Sequence, residues 1–507
     1  MTAEGFLDLF VAKAQATPET VFALFDGEPI RFGGLARQVD SVATTLHERG
    51  LARGDRVAVM MRNSPAALAT VLAIARAGAV WVPINAQLRG LGLGYILCHS
   101  EPALTIADAE LVPTIRDSGA VDPARIVIHG ASSGSDGLDD WLATGAGFAE
   151  ALPTPGDCLA ICYTSGTTGS PKGVLLSHAM LRFAGEAVAL LTEPQPGDVF
   201  LVWEPLYHIG GAQMLVLPLI REVTLAMVNR FSASNFWHQA LQYGASHIHY
   251  LGGVLQVLLK QPPSLQDRDH GVRIAWGGGC PSDIWESFRQ RFGVEICEAY
   301  GMTEASSITT YNTTGVVGSV GKPVPWLQVE LRGDEGQPVP PGQSGEIVVR
   351  THCPEALFAG YFRDPEASAR ALRDGALWTG DLGRFDDAGN LYFLGRLGDS
   401  VRCRGENVSA WEVERIAVAH PDIEDCAMIG VAAEIGEQDI KLFVQPRAGT
   451  TIRPAALSRW LGERLAPYQN PRYISMVEEF ERTPSERIAK RNLPRDTAGC
   501  WDRLASC

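Results

Sequence analysis

Positive charge is the scarcer sign in this sequence: 43 lysines and arginines stand against 58 aspartates and glutamates, a formal net charge of −15. That balance favours solubility and argues against a nucleic-acid surface or an anionic membrane as the main partner. Long apolar runs are missing too. The most apolar stretch, Ala66 to Ile84, is broken by Arg76, Gly78 and Pro83 and reads as a helix followed by a strand, not a membrane span. The opening MTAEGFLDLFVAKAQATPE carries Glu4 and Asp8 among Phe6, Leu7, Leu9 and Phe10, which predicts an amphipathic helix and no signal peptide. The expected location is the cytoplasm. Ten cysteines occur without a C-x-x-C pair or zinc-type spacing, so thiols are expected rather than disulfides. His247 and His249 in SHIHY share one face of a strand, but with no third ligand nearby they read as a packed or hydrogen-bonded pair.

Apolar residues are plentiful, 46% of 507, enough for large cores and more than one domain. DRVAVMMRNSPAALATVLAIARAGAVWVPIN predicts a strand at Val57–Met61, a helix at Ser64–Ala77 and a strand at Val80–Ile84, a βαβ unit that implies a parallel sheet covered by helices. The alternation recurs at Leu159–Tyr163, Ile248–Tyr250, Ile274–Trp276 and Glu295–Glu298. From about Gly315 to Arg350, Val and Ile alternate with Gly and Pro turns, which predicts antiparallel strands and a small β-barrel-like subdomain. Beyond GRLGDSVRCRGENVS the elements are shorter and mixed. The expected fold is α/β: a large N-terminal domain, 1–396, of parallel sheets with helices plus the small β-barrel-like subdomain, and a small mobile α+β C-terminal domain, 397–507. GASSGSDG at 130–137 is a loop without chemistry.

The strongest chemical signal is YTSGTTGSPKGV, Tyr163 to Val174, directly after the strand LAIC. Glycines among hydroxyl residues let backbone N–H groups and side-chain hydroxyls of Thr164, Ser165, Gly166, Thr167, Thr168 and Gly169 wrap a phosphate chain, with Lys172 as counter-charge. The loop departs from G-x-x-x-x-G-K-[ST], since Pro171 precedes the lysine and Gly173 follows it, which disfavours a GTPase-type site. Further stretches follow in order: PLYHIGG (205–211), GGGCP (277–281), AYGMTE (299–304), WTGDLG (378–383), GRLGDSVRCRGENVSAWEVE (395–414) and TPSERIAKR (483–491).

Together these stretches resemble the adenylate-forming superfamily of acyl-CoA synthetases, peptide-synthetase adenylation domains and luciferases, over almost the whole chain. The resemblance implies ATP, giving AMP or an acyl-AMP, together with coenzyme A and Mg²⁺. It implies Thr303 as donor to the α-phosphate, Glu304 as the Mg²⁺ ligand, and Asp381 on the ribose hydroxyls. Gly277, Gly278 and Gly279 would form a bare shelf for adenine beside Tyr300 and Gly301, with Arg396 reaching ribose or phosphate. Tyr207, His208, Trp276 and Met302 would border the acyl side, with Gly252 and Gly253 at its edge, and their composition leads to the expectation of an apolar pocket for a bulky hydrophobic acid. Gly405 and Glu406 match the loop that admits the arm of CoA after the small domain rotates about a pivot near Gly398. Taken singly, Glu304 or Asp381 would pass for an ordinary surface carboxylate. The chemistry agrees with the set: joining a carboxylate to an α-phosphate brings two anions together and requires positive charge and donors.

TPSERIAKR departs from the family. Relatives usually read Gly-Lys where this chain has Glu486 and Arg487, and that lysine enters between carboxylate and α-phosphate in the first half-reaction. A guanidinium fork does not fit a slot made for an ammonium, and Glu486 adds an anion. Losing one such cation contact costs about 3–4 kcal/mol, roughly 10²–10³ in rate. Lys490 would lie about one turn away if the segment is helical and about 10 Å away if extended. The catalytic expectation is Lys172, Thr303, Glu304 and Gly405, with Arg487 or Lys490 as stand-ins for the missing lysine. Two versions stay open: a complete acid–CoA ligase, or an enzyme that makes thioesters from acyl-adenylate supplied by a separate adenylating enzyme. The alternatives are a pseudoenzyme that binds nucleotide or acyl-adenylate, and an adenylation enzyme loading a carrier protein. A homodimer is the base-rate expectation.

Overall fold

A computed structural model describes residues 5–130, 137–164, 171–333, 335–403, 406–433, 438–465, 467, 469–482 and 488–505. The chain divides into two compact units. The first comprises residues 1–164, 171–328 and 349–377; the second comprises 165–170, 329–348 and 378–507.

The first unit holds two sheets. One has six strands in the order Ile126–His129, Leu104–Asp108, Arg56–Met60, Val80–Pro83, Cys158–Thr164, Lys172–Ser177, parallel throughout except for the last pair. The predicted βαβ unit is here, with its helix at Pro65–Arg76. Ser64 caps that helix through a hydrogen bond from the Ala67 amide, and Pro65 sits at the first helical position, where its missing N–H costs nothing. Every residue from Ala66 to Arg76 is buried, which explains why the sequence shows no polar face there.

The second sheet has nine strands. Its centre is six parallel strands in the order Glu295–Tyr300, Ile274–Gly278, His247–Leu251, Val199–Val202, Thr224–Met227, Val21–Phe25, and antiparallel strands flank both ends. Buried Val, Ile and Leu runs suit strands covered on both faces. The helix His178–Thr192 follows the last strand of the first sheet and packs on strands of the second, which is why most of its surface is buried. Tyr250, Trp285, Phe288 and Phe292 lie in the core on one side of the nine-stranded sheet.

The Val- and Ile-rich stretch after Gly315 forms a small antiparallel sheet of Leu327–Arg332, Ser344–Thr351, Ala376–Phe385 and Leu391–Arg396, with Leu372–Arg373 as a short addition. In the second unit, Ile423–Ala432, Gln438–Pro446, Tyr473–Met476 and Trp501–Asp502 form a mixed sheet, and the helices Ala410–Val418 and Pro454–Gly462 cover a core that includes Val413, Ile440, Leu442, Leu457 and Ile474. The described cysteines are all free of disulfides. Among the described residues no helix is long and apolar enough to cross a membrane.

Phe288 is fully buried in the core beside the nine-stranded sheet. Phe288→Ala is expected to lower the stability of the first unit by about 3–5 kcal/mol, read as a shift of its urea midpoint; an unchanged midpoint would contradict this packing.

Candidate active site

Parallel strands present their carboxyl ends at one edge, and ligands of open α/β sheets bind there. Four adjacent strands of the nine-stranded sheet do this, and each is followed by a stretch singled out in the sequence: Pro205–Gly211, Gly252–Gly253, Gly279–Pro281 and Gly301–Glu304.

The glycines of GGGCP are required by strand packing as well as by any flat ligand. A side chain at Gly277, whose φ is +155°, would collide with the carbonyl of Tyr250, and one at Gly278 would come within 2.9 Å of the Ala299 carbonyl oxygen. The shelf is held from below by Glu298, a residue the sequence reading did not single out. Its carboxylate accepts from the Gly279 amide at 2.6 Å, from the Cys280 amide at 3.2 Å and from the Tyr250 hydroxyl at 2.5 Å. Burial pushes the Glu298 carboxyl up to about 7, against the lowering effect of these donors.

The hairpin that carries the signature loop places Thr164 directly opposite Lys172. Ser165, Gly166, Thr167, Thr168 and Gly169 lie outside the described residues. Gly173 allows a close crossing, since a side chain there would come within 2.6 Å of Ile161. Its carbonyl accepts from the Phe362 amide at 2.7 Å, which brings Tyr361 beside the lysine. The Lys172 ammonium sits 5.0 Å from the centre of the Tyr361 ring, and the Tyr361 hydroxyl donates to Glu304 Oε1 at 2.9 Å. Lys172 and Glu304 are thus gathered around one tyrosine that sequence reasoning missed; its only local signal is an aromatic next to Gly360, whose φ is +140°. Thr303 and Glu304 lie in the short turn Thr303–Ala305 after Tyr300, which ends its strand, and Gly301 is pressed against the Ser307 carbonyl. Glu304 is buried and Thr303 half-buried. Among the described residues no group of three or more His, Cys, Asp or Glu is placed to hold a metal. A single carboxylate such as Glu304 suits Mg²⁺, which commonly takes one or two protein carboxylates and completes its shell with phosphate oxygens and water.

On the loop after Val202, Tyr207 is half-buried and His208 exposed. A crevice beside this loop is lined by Leu201, Val202, Glu204, Gly210, Met214, His249 and Trp276. Of the residues expected on the acyl side Trp276 lines this crevice, and its walls, otherwise largely apolar, also carry a buried carboxylate and an imidazole. Met302 is not among these lining residues and stands at the N-cap position of the Thr303–Ala305 turn. Glu204 contacts His208 Nδ1 and lies 2.9 Å from His249 Nδ1. Burial, the largest influence, acts to raise the Glu204 carboxyl, but the charges of His249 and then His208 outweigh it and hold it well below the usual range. The two histidines of SHIHY thus differ. His247 stacks on Phe200 with ring centres 4.1 Å apart, lies 2.9 Å from the Ser246 hydroxyl, and is lowered by burial to about 4.

In the second unit Asp381 and Arg396 are register partners on paired strands, with Arg396 Nε 3.3 Å from Asp381 Oδ1. Asp381 is almost fully buried, and its amide donates to Thr379 Oγ1 at 3.1 Å. Gly405 and Arg487 lie outside the described residues, as does Glu486; Glu406 opens the strand Glu406–Ser409, paired with Ser400–Cys403. Lys490 begins a short 3₁₀ turn, and its Nζ is 2.8 Å from Glu414 Oε1.

With the Glu298 carboxyl at about 7 in the folded chain and near 4.5 when unfolded, its stabilising protonated form is fully present below about 4.5 and is lost as pH rises through about 7. Glu298→Gln is therefore expected to gain stability relative to the parent between about pH 5 and pH 8, measured by urea unfolding at each pH; parallel curves would contradict the burial of this carboxyl.

Two family models match the chain: AMP-binding enzyme over residues 10–362, and AMP-binding enzyme C-terminal domain over residues 412–487. A crotonobetaine/carnitine–CoA ligase of Salmonella arizonae is 31% identical over 484 residues, covering 91% of this chain and 92% of its own. The ATP-bound structure of MatB from Rhodopseudomonas palustris aligns with a TM-score of 0.84 at 28% identity, covering 96% of this chain and 98% of that one. The Bacillus subtilis o-succinylbenzoate CoA synthetase MenE, in complex with ATP and magnesium ion, aligns with a TM-score of 0.85 at 24% identity, over 96% and 98% of the two chains, and supports the fold. The chain belongs to the AMP-binding enzyme family, the adenylate-forming superfamily that includes acyl-CoA ligases.

Proposed function

We propose that this protein is an AMP-forming acid–CoA ligase whose thioester-forming half-reaction is intact and whose acid-activating half-reaction is weakened at Glu486 and Arg487. Lys490 carries this reading. It is the lysine nearest in sequence to position 487, yet its Nζ is paired with Glu414 at 2.8 Å, with the two side chains 22% and 19% exposed. The turn that bears it is anchored by the Ala489 amide on the Glu481 carbonyl and by the bridge between Arg482 and Ile488. Recruiting Lys490 to a phosphate would mean breaking a largely buried ion pair and leaving Glu414 without that charge.

In the first half-reaction a carboxylate oxygen of the acid attacks the α-phosphorus of ATP, and the bond to pyrophosphate breaks. Both reactants are anionic. Lys172 supplies counter-charge and Thr303 a donor, while Tyr361 orients Glu304, the residue that would hold Mg²⁺. Bound there, Mg²⁺ would neutralise phosphate charge. In the second half-reaction the CoA sulfur attacks the acyl carbonyl carbon, the bond to AMP breaks and AMP leaves with the electron pair. That step needs no cation at position 487. Asp381 would accept the ribose hydroxyls and Arg396, beside it, would steady ribose or phosphate. Gly405 and Glu406 would admit the CoA arm as the small domain, 397–507, turns about Gly398. A side chain at Gly398 would meet nothing within 4 Å and its φ is not left-handed, so no steric need in this conformation accounts for the glycine, which suits a role in movement. The acyl-adenylate would then come from a separate adenylating enzyme, and the reaction would run in the cytoplasm.

The double variant Glu486→Gly, Arg487→Lys is expected to raise ATP–pyrophosphate exchange by about 10²-fold or more and to leave thioester formation from acyl-AMP and CoA little changed; parent exchange already at the level of the variant would overturn the reading. Lys490→Ala is expected to leave both half-reactions unchanged and to cost up to about 3 kcal/mol of stability, because Glu414 then stays largely buried without its cation. Loss of exchange in that variant would assign the activating role to Lys490 instead.

A further inference from the structure

Glu204 is a buried carboxylate on the wall of a narrow, closed crevice beside Trp276, on the side where the family resemblance puts the acyl group, and nothing in the reaction requires a carboxylate there. It follows the strand Val199–Val202 at the carboxyl edge of the parallel sheet. The next strand contributes His249, and the one after it Trp276, the direct register partner of His249, with ring centres 4.3 Å apart. Trp276 leads straight into the Gly277–Gly279 shelf, so the crevice is continuous along the chain with the proposed adenine site.

The loop is built around the carboxylate. A side chain at Gly210 would collide with the Glu204 carboxylate, and one at Gly211 with the Pro205 carbonyl, so both glycines let the loop close over it. Glu204 keeps only 5% of its side chain exposed. Its Oε1 faces His208; its Oε2 lies 2.9 Å from His249 Nδ1 but off the line of a hydrogen bond, and both of these atoms lack a hydrogen-bond partner. The buried Trp276 Nε1 on the same wall also lacks one. The Tyr207 phenol is pushed up to about 12 by burial and then by the Glu204 charge, so that charge is felt across the loop. A buried acceptor left without an aligned donor is costly, and a ligand donor would offset that cost.

We propose that Glu204 is a specificity-determining residue and that the acid carries a hydrogen-bond donor on its acyl chain, a hydroxyl or a cationic nitrogen, which bonds to Glu204 beside Trp276. This rests on the ligase reading and on the acyl side lying where the family resemblance puts it, beside Tyr207, His208 and Trp276. A hydroxyl would also accept from Trp276 Nε1; a cationic nitrogen would donate to Oε2, sharing the carboxylate with the two histidines, and lie against the indole face.

The test uses non-hydrolysable acyl-sulfamoyl adenosines with the full-length protein. One set carries plain hydrocarbon acyl chains, a second a hydroxyl and a third an ammonium, each moved along the chain one carbon at a time; affinity is read by calorimetry, with AMP as control. The parent is expected to bind its best donor-bearing mimic at least about tenfold tighter than the hydrocarbon of equal length. Glu204→Leu is expected to abolish or invert that preference. Glu204→Gln, which keeps the shape, should retain the hydroxyl preference and lose the ammonium one. Hydrocarbon mimics bound as tightly by the parent, or a preference unmoved in Glu204→Leu, would overturn the inference while leaving the ligase reading standing. Failure of AMP and of every mimic to bind would overturn that reading and the inference with it.

Discussion

The parallel pairing of Val199–Val202, His247–Leu251, Ile274–Gly278 and Glu295–Tyr300 is the constraint on which the first unit's chemistry depends. Because these strands run the same way, their last residues and the loops beyond them collect at one edge. Carboxylates that would otherwise be dispersed on the surface are drawn inward. Glu298 is held under the glycine shelf, Glu204 under the loop that carries His208, and Glu304 against Tyr361. Each is buried, and each is held by donors or imidazoles from a different stretch of chain. Losing the strand register would strand these charges in apolar surroundings, so the same packing that makes the core also sets the electrostatics of the site.

Much of this could be read in the sequence, for local reasons. Alternating hydrophobic runs gave the strand at Arg56–Met60 and the helix at Pro65–Arg76, within a residue or two of where they were expected. The glycines of GGGCP announced close backbone approach, although the neighbour they accommodate first is the Tyr250 carbonyl, a part of the protein itself. Asp381 and Arg396 were expected to serve one nucleotide and are register partners. Glu204, Glu298 and Tyr361 were not legible. Glu204 looks like a loop carboxylate until His249 and Trp276, far along the chain, close around it. Tyr361 needs the crossing at Gly173 to reach Lys172. A composition list records Trp, Tyr and Met but not the polar neighbours, Glu204 and His249, that the sheet order sets beside Trp276.

The terminal segment poses the opposite case, where a departure from the family pattern is plain in the sequence and its consequence is physical. An ammonium between two anions lowers the barrier to joining them; a guanidinium beside a glutamate cannot take the same place. Lys490, three residues further along the chain, is paired with Glu414. Thioester formation has no equivalent demand, because its nucleophile is sulfur and its leaving group is already activated. On the proposed reading, charge alone would separate the two halves of the reaction in this chain.

The most direct measurement is a rapid-quench comparison of single turnovers in the unmodified protein: AMP formation from acid and ATP against thioester formation from preformed acyl-adenylate and CoA. The account predicts that activation is slower than acyl transfer by about 10² or more. Equal rates, or activation the faster of the two, would contradict it.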